Sequence, residues 1–443
     1  MKHILIIGAG RSSSSLIRYL IENASENKWN LRVVDRDLAL AEEKINGSSS
    51  AEAFSFNALD EAERKPHLEW ADLVISMLPA RFHIDIAKDC VALSKSLITP
   101  SYVTPEMKAL NNEAISKGVT ILNELGLDPG IDHMSAMKII DHIREKGGDL
   151  VRFESFTGGL IAPESDTNPW NYKFTWNPRN VVLAGQGSAA RFLQNNKYKF
   201  VPYHKLFGRT KNIEIEKYGE FEGYANRDSL SYLEVYGIQG IPTIYRGTLR
   251  RKGYSEAWNV FVQLGCTDDT YTMPHTDSMT YRQYVNSFLT YHESYTVEEK
   301  LQTSLELSDE VMSKLKWLGV FEDRAIGKED LSPAQVLQRI LEEKWELEPD
   351  DKDLIVMWHR FNYTLNGEER EVISSLAVEG EDQTYTGMSN TVGLPLAIAA
   401  KHLLNGTINL PGVHLPVVKE IYTPILEELE AYGVNFKETD LVC

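Results

Sequence analysis

The chain has 443 residues, more than one hydrophobic core ordinarily organises, so two or three domains are expected. A hydrophobic fraction of 42%, a charged fraction of 25% and a net charge of −18 describe an acidic globular protein whose surface repels nucleic acid and anionic membrane. Cys90, Cys266 and Cys443 show no paired spacing, which argues against a disulfide scaffold or a CxxC metal knuckle and makes a reducing cytoplasm the expected compartment.

In chain order, Ile4-Leu5-Ile6-Ile7 is a continuous apolar run that predicts a buried parallel strand. Gly8 and Gly10 interrupt it too early for a signal peptide, and no later apolar stretch is long enough to span a bilayer. Leu16, Ile17, Tyr19, Leu20 and Ile21 then supply one face of a helix. Leu31–Asp35 predicts a second strand and Leu38, Leu40, Ala41 and Ile45 a second helix. Short strands follow at Ala53–Phe56, Leu73–Met77, Leu97–Ile98 and Val119–Leu122. This alternation predicts an α/β, Rossmann-type doubly wound domain over residues 1–129.

The pattern changes near Gly147, where Val151–Phe156 and Ile213–Glu216 alternate in side-chain character and aromatic residues become frequent. Residues 130–385 read as a second α/β domain with a more antiparallel sheet and a charged helical insertion near 297–347. Residues 386–443 form a C-terminal segment, with a small-residue helix through Leu396–Ala400, that is expected to pack back on the first domain.

Gly8-Ala9-Gly10 sits between a strand and a helix, the context in which glycines let a dinucleotide's diphosphate reach backbone N–H groups. Arg11, Ser12 and Ser13 continue the loop; Ser13 stands where the motif ordinarily has its third glycine, and a plain strand-to-helix turn would look similar. Asp35, ending the second strand, suits the ribose hydroxyls of NAD, whereas Arg36 suits the 2′-phosphate of NADP. The reading is NAD or NADP, with NAD slightly preferred. Asn57 and the Ser76–Pro79 stretch, including Leu78 and Pro79, are further candidate cofactor contacts. The histidines, His133 and His142 among them, make no tight ligand set, so no metal is expected.

Several segments, always in one order, carry a family resemblance. They are Leu78-Pro79, Ser101–Pro105, Asn123–His133, Gly158–Leu160, Ala162–Glu164, Asn168-Pro169, Tyr172–Trp176, Asn226–Ser229, Arg246–Arg250, Thr391–Pro395 and Lys419–Tyr422. Together they cover nearly the whole chain, which resembles the saccharopine dehydrogenase family, in particular the glutamate-forming saccharopine reductases.

The resemblance implies NAD(P)-dependent oxidative cleavage of saccharopine to L-glutamate and 2-aminoadipate 6-semialdehyde, or the reverse condensation. It implies a homodimer, with the second domain binding substrate and contributing to dimerisation. Saccharopine carries three carboxylates, and Arg227 and Arg250 match the family's clamps, with Arg246 in support and Lys173 a further charged candidate. Ser101 and Tyr102 match a pair where cofactor and substrate meet; Asp128 matches the acid near the reacting centre and contributes to the cofactor site. Phe174 and Trp176 are candidates for a wall over the carbon chain, while Asp132 and His133 serve equally well to cap and orient a helix. One departure is Thr157, which stands where the family has a cysteine, so any role of that thiol is absent. Two other readings stay open: a related reductase acting on a different amino-acid or polyamine aldehyde conjugate, and a noncatalytic dinucleotide-binding protein.

Overall fold

In the computed structural model, which describes residues 1–442, Lys2–Ile7 (β1) is an interior strand of a parallel sheet. Ile4, Leu5 and Ile6 are fully buried, which requires cover on both faces and explains the unbroken apolar run. Trp29–Asp35 (β2), Ala51–Ser55 (β3), Leu73–Ser76 (β4), Ser96–Ile98 (β5), Thr120–Leu122 (β6) and Gly412–His414 (β7) complete the sheet, in the order β3-β2-β1-β4-β5-β6-β7. All six neighbouring pairs run parallel. The first six strands thus have the doubly wound order, whose topological switch lies between β1 and β4. β7 comes from the C-terminal segment and extends the edge beside β6.

Four helices matter most in this unit: Ser14–Asn27 (α1), Ile131–Glu145 (α2), Gly387–Leu404 (α3) and Lys419–Glu430 (α4). α3 lies against α1 so closely that a Cβ at Gly393 would fall 2.7 Å from the Leu16 nitrogen. The Ser15 N–H and the Ser15 hydroxyl donate to Ser389 Oγ (3.0 Å) and Asn390 Oδ1 (2.6 Å), tying the first turn of α1 to α3. α4 is joined to α2 by the Tyr422 hydroxyl, which donates to Asp141 at 2.9 Å, and to α3 by Lys401 and Glu428 at 3.0 Å.

The chain divides into two units, one of residues 1–150 with those from 363 onward, the other of residues 151–362. These limits differ from the boundaries expected at 129/130 and 385/386. α2 groups with the first unit because it packs on α4, and the paired strands Glu368–Glu379 and Lys437–Val442 group there too. Cys443 lies outside the described residues.

The second unit has a mixed sheet in the order Thr210–Ile215, Gly219–Ala225, Thr243–Arg251, Asp149–Ile161, Asp353–Leu365. The first three strands are antiparallel, while Thr243–Arg251 and Asp149–Ile161 run parallel. The charged stretch expected near 297–347 contains the helices Val297–Leu305, Asp309–Trp317 and Pro333–Trp345. Thr296 and Ser332 start two of them with reciprocal capping boxes, and the Ser308 side chain caps the third. Trp170, Tyr172, Phe174, Tyr254, Trp258 and Trp345 pack as one aromatic core. Among the described residues no helix is long and apolar enough to cross a membrane, and no group of three or more His, Cys, Asp or Glu side chains is placed to hold a metal.

Candidate active site

The glycine loop leaves β1 at Gly8, whose φ of +109° is a conformation L side chains rarely adopt. A Cβ there would also stand 3.1 Å from Met77, so glycine is required on both counts. Gly10 faces open space and precedes the short helical turn Arg11–Ser13, which leads into α1. Neither that turn nor α1 has a side-chain cap at its start, which leaves a helix N-terminus able to receive a diphosphate. Ser13, at the third glycine position, is buried, and its hydroxyl donates to the Gly10 carbonyl at 2.7 Å, holding the turn. Arg11 is exposed and Ser12 half-buried beside it.

At the end of β2, both Asp35 oxygens accept backbone N–H groups, one from Ala9 (2.8 Å) and one from Asp37 (3.2 Å). The carboxylate therefore braces the glycine loop. Arg36 is exposed, and its Nη2 donates to Asn57 Oδ1 at 3.1 Å, so these two candidates are brought together. Leu78 packs partly against the core, and exposed Pro79 begins the turn after β4. These features fit NAD(P): a loop without Cβ crowding, an uncapped helix start and a polar group at the tip of β2.

Beyond β5 and β6 the chain builds a second cluster. The Tyr102 hydroxyl donates to Asp128 Oδ1 at 3.2 Å, and both residues are half-buried. Their loops are fastened to each other, with the Glu124 N–H donating to the Ser101 carbonyl (3.1 Å) and the Val103 N–H to Glu124 Oε1 (2.9 Å). The other Glu124 oxygen meets His133 Nε2 at 2.8 Å, deep in the unit. Asp132 accepts the Gly130 N–H at 2.7 Å. Asp132 and His133 thus both hold the turn that leads into α2. A Cβ at Gly130, where φ is +148°, would fall 2.0 Å from the Gly126 carbonyl oxygen, so this turn also demands glycine.

In the second unit, Arg250 is 4% exposed, and its Nη1 donates to the Leu249 carbonyl at 2.8 Å while its Nε has no hydrogen-bond partner among the described residues. Its guanidinium lies 5.0 Å from the Tyr172 ring and 5.4 Å from that of Tyr254. Burial pushes both phenols up, so they are neutral and offer no counter-charge. Glu222 is in register across the ladder, but its oxygens accept the Ser255 and Gly253 N–H groups at 2.5 and 3.3 Å. Thr248, two residues from Arg250, is in register with Tyr224 on one side and Thr157 on the other, so one sheet face carries all four. The buried Thr157 hydroxyl also has no hydrogen-bond partner among the described residues. A lone buried polar group costs about 1–3 kcal/mol, more if charged, so this face is a candidate to receive a polar ligand.

The other candidates in this unit are placed differently. Arg246 is buried, and its guanidinium stacks 4.0 Å from the Tyr232 ring. Arg227 is exposed on the turn after Gly219–Ala225 with φ +43°. The Lys173 ammonium is engaged with Asp351 at 2.5 Å in a buried pair, and Phe174 is fixed in the aromatic core against Trp345. Trp176 is partly exposed nearby in the chain. Sequence reasoning missed Tyr224 and Tyr254 beside Arg250, and His83, which bridges Ser76 and Ser101. Each is an ordinary aromatic residue in sequence and gains meaning only through pairing across strands.

A family model described as the saccharopine dehydrogenase NADP binding domain matches residues 4–122, and one described as the saccharopine dehydrogenase C-terminal domain matches residues 126–434. The chain is 33% identical, over 99% of both chains, to saccharopine dehydrogenase [NADP(+), L-glutamate-forming] of Schizosaccharomyces pombe. It is 34% identical to the mitochondrial alpha-aminoadipic semialdehyde synthase of Mus musculus, covering 98% of this chain and 47% of that one. The apo structure of the L-Glu-forming saccharopine dehydrogenase from Saccharomyces cerevisiae superposes with a TM-score of 0.88 at 32% identity, covering 100% of both chains.

Proposed function

The chain belongs to the saccharopine dehydrogenase family, and on that premise we propose that it interconverts saccharopine with L-glutamate and 2-aminoadipate 6-semialdehyde. It is an NAD(P)-dependent oxidoreductase of the saccharopine dehydrogenase type. The observation that carries the substrate assignment is Arg250, a buried guanidinium with no acid partner among the described residues, on the same sheet face as a second polar atom that has none there either. Such a group calls for an anionic ligand, and saccharopine has three carboxylates.

The bound nicotinamide supplies hydride acceptance or donation. The chain's own groups do the rest. Gly8, Gly10 and the start of α1 hold the diphosphate; Arg250 takes a substrate carboxylate, with Arg246 and Arg227 assigned to the remaining negative charge. Tyr102 and Asp128 serve the reacting nitrogen and the water that cleaves the imine. The carboxylate accepts a proton and the phenol holds it in place. Lys173 and Phe174 support this arrangement from the interior, Lys173 by fixing Asp351. In the oxidative direction the secondary amine loses hydride from its aminoadipate carbon and becomes an imine. Water adds to that carbon, and the carbon–nitrogen bond breaks to release glutamate.

For the cofactor we infer NADP rather than the NAD that Asp35 alone suggests. Both Asp35 oxygens are occupied by backbone donors, while Arg36 stands exposed with Asn57, offering a fork for a 2′-phosphate. A homodimer belongs to the same reading. The test supplies purified protein with saccharopine and either NADP or NAD, and follows reduced nicotinamide together with released glutamate. Equal amounts of the two, faster with NADP, are expected; no turnover with either cofactor by a folded, nucleotide-binding protein would end the proposal.

A further inference from the structure

His83, the first residue of the helix His83–Ala92, is 3% exposed and bridges two strand ends. Its Nδ1 lies 2.9 Å from Ser76 Oγ, at the last residue of β4, and its Nε2 lies 2.8 Å from Ser101 Oγ, just beyond β5. Burial pushes the imidazole down to about 4, so the ring is neutral near pH 7 and has one donor nitrogen and one acceptor nitrogen.

The surroundings of Ser76 decide which is which. Ser76 is fully buried, and among the described residues His83 is the single hydrogen-bond partner of its hydroxyl. If Nδ1 carried the proton, the Ser76 hydroxyl would accept it and its own hydrogen would be stranded in the interior, at a cost of about 1–3 kcal/mol. The economical arrangement has Ser76 donating to Nδ1. Nε2 then carries the ring proton and donates it to Ser101, whose own hydroxyl hydrogen is left pointing elsewhere. Ser101 is half-buried, its hydroxyl has no other side-chain or backbone bond among the described residues, and its carbonyl is already used by Glu124.

We propose that Ser76 and His83 are positioning residues that set Ser101 as an obligate hydrogen-bond donor toward an acceptor oxygen of the bound reactants, a carboxylate or carboxamide. This deepens the reading of Ser101 as a site residue and rests on it. The Ser76→Ala change removes the donor that fixes the tautomer while leaving the ring and Ser101 in place. Nitrogen-15 NMR of histidine-labelled protein reports the tautomer directly, and the inference requires the Nε2–H form in the wild type.

The kinetic test is a double-mutant cycle of S76A and S101A, read as the kcat/KM for saccharopine and as nucleotide affinity. S101A should lower kcat/KM about tenfold, the loss of one donated hydrogen bond. S76A should lower it about threefold alone and add nothing in the S101A background. A purely structural Ser76 would add its full effect in both backgrounds. That additivity, or an Nδ1–H tautomer, overturns the relay even if Ser101 matters. An S101A enzyme with unchanged kinetics and nucleotide affinity overturns both the placement of Ser101 and the relay, while saccharopine turnover itself would still stand.

Discussion

Replacing Arg250 with methionine separates a ligand-binding role from a structural one, because the two roles predict opposite signs. Methionine fills a similar shape within the cluster of Tyr172 and Tyr254. The free protein loses hydrogen bonds to the Leu249 carbonyl and the Tyr254 hydroxyl and the contact of the guanidinium with two aromatic rings, a net cost of about 2 kcal/mol. It also sheds the burden of holding at 4% exposure a guanidinium that, among the described residues, has no carboxylate bonded to it, an effect of several kcal/mol in the other direction. Glu222 moderates the gain, since its charge loses a neighbouring cation, yet it keeps two backbone N–H donors. The free variant should therefore melt at or above the wild-type temperature. Substrate use should fall sharply: a charge-assisted contact to a carboxylate contributes about 3 kcal/mol, or roughly 100-fold in kcat/KM. Nucleotide affinity should be unchanged. The assay pairs thermal melts of ligand-free protein with steady-state kinetics in saccharopine. A variant that melts much lower and loses activity only in proportion to unfolding would show that Arg250 is structural and refute the reasoning.

Gly8→Ala should weaken nucleotide binding about tenfold or more, because φ +109° and the 3.1 Å approach to Met77 force the loop to shift; titration calorimetry with NADP checks it. Tyr102→Phe keeps the ring and removes the bond to Asp128, so kcat should fall on the order of 10- to 100-fold with nucleotide affinity intact. Arg36→Ala should raise the KM for NADP about tenfold or more and leave that for NAD nearly unchanged, narrowing cofactor selectivity in steady-state comparison. Burial lowers the His83 imidazole from 6.5 to about 4, so as pH falls the unfolded chain takes up its proton first. Folding stability is then lost between pH 6.5 and 4, by up to about 3 kcal/mol from this group, and His83→Gln should flatten that slope in urea titrations across pH.

The fold of the first unit was legible because its signal is local. Four apolar residues in β1, then Gly8, then the apolar positions of α1, specify strand, turn and helix within a short stretch. The unit limits were harder to see, because they depend on α4 docking on α2 and on β7 joining β6 from some 290 residues away, as Thr120 and Leu410 illustrate. The same distinction holds in the candidate site. Gly8, Asp35, Tyr102, Asp128 and Arg250 announce themselves by residue type and motif. Asp35, however, spends its carboxylate on the Ala9 N–H, and Lys173 is engaged by Asp351, which lies 178 residues further on. Whether a charged side chain is available to a ligand or committed to its own fold is decided by partners that no local pattern reveals. His83 is the clearest case, since its role exists only because β4 and β5 lie side by side.

The most direct test of the account uses saccharopine carrying two deuterium atoms on the aminoadipate carbon bonded to the secondary amine. Incubated with the enzyme and NADP, it should yield reduced cofactor with one deuterium on the nicotinamide, semialdehyde with one deuterium on its aldehyde carbon, and unlabelled glutamate. Unlabelled reduced cofactor, with lysine and 2-oxoglutarate as the products, would place hydride removal on the glutamate side of the amine and contradict the account.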